Sequence, residues 1–161
     1  MVPVSLTDEI YDQGDKVPPN QNKETSSSHN WQSKQCTVDS LIGHKLDKKT
    51  STVEFIVKWA NGQTTIQPEW TLQPDIPALI YEYWEKAGGR QEATRFTFDH
   101  VFRILDVKVT DGKKEYEVQW VGYPGVWPWT TWEDERKLRR IARVELEIFQ
   151  NQPVNKREKS V

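Results

Sequence analysis

One order of elements occurs twice in this chain, and that repeat limits what it can fold into more than any other feature. Residues 52–59 (TVEFIVKW) place Val53, Phe55, Val57 and Trp59 on one face at period two, the pattern of a half-buried strand. A short strand is predicted before it at 38–42, with a polar turn at 47–51 between them. Asn61-Gly62 signals the next turn, and 64–66 a third strand. A helix follows over 78–87, with Pro77 suited to its first turn and Gly88-Gly89 suited to end it. About sixty residues later the order recurs. Residues 101–109 read as a strand, Asp111-Gly112 as a hairpin turn, and 115–121 as an alternating strand with Tyr116, Val118 and Trp120 on one face. Residues 130–133 supply a short third strand, whose Trp132 is expected in the core. A helix over 138–149 puts Leu138, Ile141, Ala142, Leu146 and Phe149 near one stripe that Glu145 interrupts.

Three short strands cannot bury both faces of a sheet, so a helix must close the open end. The expected fold class is α+β: two small modules, each a three-stranded curved antiparallel sheet closed by a C-terminal helix. Each core is small, and a module of this size is marginal alone. That invites packing between the two units or pairing with a second chain.

Composition sets the borders. Of 161 residues only 35% are hydrophobic, and mean hydropathy is −0.80, yet the chain carries eight Trp, five Tyr and five Phe. Compact aromatic modules with polar flanks satisfy both facts. Residues 1–34 read as a disordered leader, since 18–28 (PPNQNKETSSS) offers nothing with which to build a core; Trp31 is a loosely packed flank or a short recognition element. The modules fall at 35–90 and 98–150, joined by a linker at 91–97 and followed by a flexible basic tail at 151–161.

Several classes of function are excluded. No apolar run suits a membrane span or a signal peptide, so a cytosolic or nuclear protein is expected. Cys36 stands alone, and His29, His44 and His100 are scattered, so neither a disulfide framework nor a metal set is expected, and no cofactor. No phosphate loop, nucleophile elbow or zinc-protease motif is present, and the acids at 133–135 fit a solvated turn, so an enzyme is not expected. A net charge of −2 argues against a basic nucleic-acid arm.

The second unit resembles a chromodomain, through RILD (103–106), EYEVQWVGYP (115–124) and TWEDE (131–135). The first resembles the sister module, the chromoshadow domain of heterochromatin-protein-one-like proteins, through LIGHKL (41–46), FIVKWANG (55–62) and PALIYEYWEKA (77–87); a degenerate chromodomain is its rival. Family members with both modules normally place the chromodomain first, the reverse of the order here.

Reader chromodomains hold a methylated lysine in a cage of aromatic side chains. A trimethylammonium donates no hydrogen bond and is drawn to the negative faces of the rings. The flanking peptide adds as a strand between the module's own edges. By position the resemblance assigns two walls to Trp120 and Tyr123. Strict alignment puts Asp99 at the first wall, and a one-residue bulge would bring Phe98 there instead. Two walls and a carboxylate would favour lower methylation states that keep an N–H donor. The bland alternative makes Trp120 core and Tyr123 a turn anchor. Trp127 and Trp129, in a longer loop than the family's usual one, either extend the cage rim or pack on the first unit.

For the shadow-like unit the resemblance implies dimerisation or partner capture through 77–87, with Ile80, Tyr81 and Trp84 on that helix; packing within the same chain is the alternative. The first unit has Trp59 but Cys36 and Gly62 at the other cage positions, so it is not expected to read methyl-lysine. Arg136, Lys137, Arg139, Arg140 and Arg143 form either a solvated face or a phosphate contact, which would make nucleic acid a partner. The sum of these expectations is a nuclear, non-catalytic chromatin adaptor. Its partners would be a methylated histone tail and either a second copy or another chromatin protein. Its rivals are a nucleic-acid-binding module and a scaffold that has lost its cage.

Overall fold

The structure, a computed structural model, describes residues 37–153. The expectations for 1–34, Trp31, Cys36 and the tail from 154 onward lie outside the described residues. Two three-stranded antiparallel sheets form, ordered β1-β2-β3 and β4-β5-β6, and each is followed by helices. The α+β expectation of two chromo-like modules holds.

The first sheet comprises β1 (Val38–Asp47), β2 (Thr52–Trp59) and β3 (Thr64–Pro68). Helices α1 (Glu69–Leu72), α2 (Pro77–Lys86) and α3 (Arg90–Thr94) follow. Val53, Phe55, Val57 and Trp59 are all buried, as their period-two spacing requires, and pack with Leu72, Ile80, Trp84 and Phe96. Pro77 opens α2, and Gly88 and Gly89 follow its end with positive φ. Helix α3 occupies most of the predicted linker, and Phe96 behind it belongs to the first core.

The second sheet comprises β4 (Val101–Thr110), β5 (Lys113–Trp120) and β6 (Thr131–Asp134). Asp111 and Gly112, both at positive φ, make the two-residue hairpin turn between β4 and β5. Instead of one helix over 138–149 there are two, α4 (Glu135–Ile141) and α5 (Arg143–Gln150). Ala142 adopts φ −151° and ψ 49° between them. That break rotates the apolar phase. Leu138, Ala142, Leu146 and Phe149 reach the core with Val101, Ile104, Tyr116 and Val118, while Ile141 is left exposed. Asp134 caps α4 by accepting from the Lys137 backbone N–H at 2.8 Å. Trp132 is not core. On β6 it pairs opposite Glu117, one step from the buried Val118, so it stands on the outer face, where the Lys108 Nζ lies 4.2 Å from its ring centroid.

The two sheets share their irregularities. In β1 the register shifts between Val38 and Ser40 and again between Leu41 and Gly43. In β4 it shifts between Val101 and Arg103 and between Ile104 and Asp106. Val38 faces Trp59 as Val101 faces Trp120. The Trp59 indole N–H donates to Thr65 Oγ1 at 2.8 Å, and that of Trp120 to Thr131 Oγ1 at 3.0 Å. A repeat of bulges in register makes these two copies of one design rather than two sheets of similar length.

Polar groups join the modules. Gln73 is buried; its Oε1 accepts from the Gly122 N–H at 2.8 Å, and its Nε2 donates to the Tyr123 carbonyl at 3.3 Å. Gln119, also buried, donates to the Tyr81 hydroxyl at 3.2 Å and to the Tyr123 carbonyl at 2.9 Å, and accepts from Arg103 Nε at 2.6 Å. His100 Nε2 meets the Thr50 carbonyl at 2.7 Å.

Candidate functional site

The site is a hollow of about 680 Å³ on the second module. Phe98, Trp120, Tyr123 and Trp129 supply four aromatic walls, and Asp99 supplies a carboxylate. Trp120 is the last residue of β5, the central strand, where the alternation puts it on the face that buries Tyr116 and Val118. It is half-buried, resting one side on the core and turning the other into the hollow. Its indole N–H is committed to Thr131, which fixes the ring plane. Tyr123 stands three residues past the end of β5, its backbone N–H bonded to the Trp120 carbonyl at 3.2 Å. Trp129 stacks beside Tyr123, ring centroids 5.9 Å apart at 25°.

Phe98 and Asp99 both line the hollow, so the choice between them that alignment poses does not arise. The bulge at Val101 lies just beyond this pair. Phe98 is 49% exposed, and its ring meets His100 edge-on at 5.3 Å. Trp127 does not line the hollow. It stands 85% exposed at the loop's tip, so the two tryptophans of that loop part company. Lys137 reaches the rim, its Nζ 5.8 Å from the Trp120 centroid and 2.5 Å from Glu133, which balances its charge.

Behind the hollow lies a buried ionic cluster. Glu69 of α1 is 0% exposed and Arg90 of α3 only 3%. Arg90 Nη2 donates to Glu69 Oε2 at 2.8 Å, and its Nε lies 3.2 Å from both carboxylate oxygens. Trp84 adds an indole N–H to Glu69 Oε1 at 2.6 Å. The other arm of the guanidinium, Nη1, reaches Asp99 Oδ1 at 2.6 Å. The Arg90 carbon Cζ lies 5.9, 5.6 and 5.5 Å from the ring centroids of Trp84, Phe96 and Tyr123. Burial alone would lower the Arg90 pKa; the hydrogen bonds it donates to Glu69 and the charges of Glu69 and Asp99 outweigh it, so Arg90 stays firmly cationic. Burial, and then the nearby Asp99 charge, push the Tyr123 phenol above its usual value.

The remaining predicted residues are placed differently. Ile80 is 0% and Trp84 3% exposed, both in the first module's own core, so neither offers itself to a second chain. Tyr81 is half-buried at the junction with Gln119. Of the basic cluster, Lys137 pairs with Glu133, Arg139 with Glu135 and Arg143 with Glu147, each acid four residues away along the chain. Only Arg136 and Arg140 of those five lack an ion pair among the described residues. At the first module's equivalent of Tyr123 stands Gly62, with nothing within 4 Å of where a Cβ would sit, and Trp59 is buried.

Sequence reasoning missed Glu69, Arg90 and Gln73. Pattern rules send charged and amide side chains to the surface, and the signal available, an Arg just after the Gly88-Gly89 helix stop, is weak.

Residues 100–152 match the Chromo (CHRromatin Organisation MOdifier) domain. One Chromo domain is thus found, in the second module; the shadow-like reading of the first lies outside that match. Chromo domains are non-catalytic binding modules, and the match supports a chromatin-associated methyl-lysine reader in general. No curated protein matches the chain.

Proposed function

We propose that this chain is a nuclear, non-catalytic chromatin adaptor whose second module reads a methylated lysine of a histone tail. The carrying observation is the convergence of Phe98, Trp120, Tyr123 and Trp129 on one hollow with the Asp99 carboxylate at its edge. Four ring faces attract a weakly hydrated cation, and the carboxylate completes the charge balance. An all-packing role for these rings would fill the space between them; instead they border an open hollow. The first module serves as the reader's support, since its α2 helix spends Ile80 and Trp84 on its own core. Any pairing of two chains through 77–87 would have to rest on other side chains of that helix.

The test is a titration of the full chain with one histone-tail peptide, methylated and unmodified, followed by Trp fluorescence at two salt concentrations. A methyl preference that survives the higher salt is expected. Weak binding without methyl preference that vanishes in salt would overturn the reading and favour a solvated basic face.

A further inference from the structure

The ionic cluster behind the cage is one charge short of neutral. Two carboxylates, Glu69 and Asp99, share a single guanidinium, and Glu69 holds it through both Nε and Nη2 while the Trp84 N–H fixes that carboxylate in turn. Glu69 and Arg90 are closed off from water. The one open side of the cluster is Asp99, whose side chain is 25% exposed, anchored through Oδ1 and bordering the hollow. A buried cluster with a surplus negative charge is stabilised by a cation arriving at its open side. The cluster also carries its own shape constraint. A Cβ on Gly122 would overlap the Arg90 side chain and come 2.5 Å from Glu69 Oε1, so the turn leading to Tyr123 lies directly on the ion pair.

We propose that the first module is a working part of the methyl-lysine site. Arg90, fixed by Glu69, holds Asp99 at the cage as a hydrogen-bond acceptor, and the site thereby selects mono- and dimethyl-lysine over trimethyl-lysine. The inference rests on the reading of the cage given above. A dimethylammonium carries one N–H and a monomethylammonium two, and each donates to a carboxylate in a charge-assisted bond. A trimethylammonium has no such donor and leaves Asp99 with charge attraction alone. Asp99 can play this part only if it is held in place, because a free carboxylate would turn to solvent. Arg90 and Glu69 are positioning residues; Asp99 touches the ligand. A neighbouring hollow of about 380 Å³ shares His100 and Ile141 with the cage and is lined by Thr52 and Trp70 of the first module, so the first module also borders the surface beside the cage.

The test needs no knowledge of the target sequence. The full chain is titrated with Nα-acetyl-lysine amide in its unmodified, mono-, di- and trimethylated forms, following the indole N–H signals of Trp120 and Trp129 by NMR. The dimethyl form is expected to bind about tenfold more tightly than the trimethyl form. Asp99→Asn should remove that ratio while both forms still shift the indoles. Arg90→Gln should also collapse the ratio, and Arg90→Lys, which keeps the charge but not the fork, should restore part of it. If Arg90→Gln fails to fold, Asp99→Asn, at a partly exposed side chain, still decides. A ratio near one in the unaltered chain, or one that Asp99→Asn leaves unchanged, overturns the selector while sparing the cage. Indoles that no methylated form shifts would overturn the cage reading itself.

Discussion

Gly122→Ala should uncouple the two modules, and its effect can be worked out from the backbone. Gly122 sits at φ +83°, where a side chain costs about 1–2 kcal/mol in strain. The added Cβ would also overlap Arg90 Nε and Cδ, neither of which can retreat, because the guanidinium is tied to Glu69 and Asp99. Overpacking of this kind costs about 1–3 kcal/mol, and outright breakage of the buried ion pair about 3–5 kcal/mol. With the backbone strain added, the expected loss is about 2–5 kcal/mol if the pair yields and about 4–7 kcal/mol if it breaks. Gly62→Ala supplies the control. Gly62 has φ +86° but nothing within 4 Å of a Cβ, so only the strain of about 1–2 kcal/mol applies. Urea unfolding of both variants in the full chain isolates the clash as a difference of about 1–5 kcal/mol, a midpoint shift of the order of 1 M or more. Equal losses in the two variants would refute the argument, because the ion pair would then have room to yield.

Trp120→Ala should weaken methyl-lysine binding about thirtyfold by isothermal titration, the worth of one desolvated cation–π wall, and leave the fold standing. Trp59→Ala, at the same place in the first sheet but buried, should instead cost about 3–5 kcal/mol in stability with the cage rings unaltered. Ile80→Ala should lower stability by about 2–5 kcal/mol in chemical unfolding, because this side chain is fully buried in its own module; near-normal stability with a halved mass by light scattering would contradict that. Any nucleic-acid binding should show a log–log salt slope no steeper than about −2, since among the described residues only Arg136 and Arg140 of the cluster lack an ion pair; a slope near −4.5 would mean that all five cations contact phosphate. Burial lowers the His44 pKa from 6.5, opposed by Glu69, so the unfolded chain binds that proton more readily. Its contribution to stability is complete above about pH 6.5 and declines as pH falls below it, and His44→Gln should flatten the stability profile between pH 7 and 5.

The sheets were legible in the sequence because their cause is local. Alternation at 52–59 and 115–120 states which face is buried, and Asp111-Gly112 admits few turns other than a tight hairpin. The helical break at Ala142 was not legible, since every residue of 138–149 suits a helix and the interruption is imposed by tertiary packing. Of the site, Trp120 and Tyr123 followed from position, and Phe98 required a bulge that spacing could suggest but not fix. Trp127 and Trp129 are chemically identical neighbours in sequence; only the loop's path decides that one stacks on Tyr123 and the other meets solvent. The ionic cluster was invisible for a different reason. Burial of Glu69 and Arg90 depends on finding each other across twenty residues, and neither residue's own neighbours announce it.

The cluster also separates two meanings of a domain border. The family match begins at residue 100, yet Phe98 and Asp99 precede it and Arg90 lies ten residues upstream. A fragment cut at the match would keep Trp120, Tyr123 and Trp129 and discard one ring, the acid and the guanidinium bonded to it. Even a fragment begun at 91 would leave Asp99 without its guanidinium and Gln119 without the Tyr81 hydroxyl. Binding measured on such a piece would therefore sample a hollow that lacks Phe98, Asp99 or the guanidinium bonded to Asp99, whereas the intact chain carries all three.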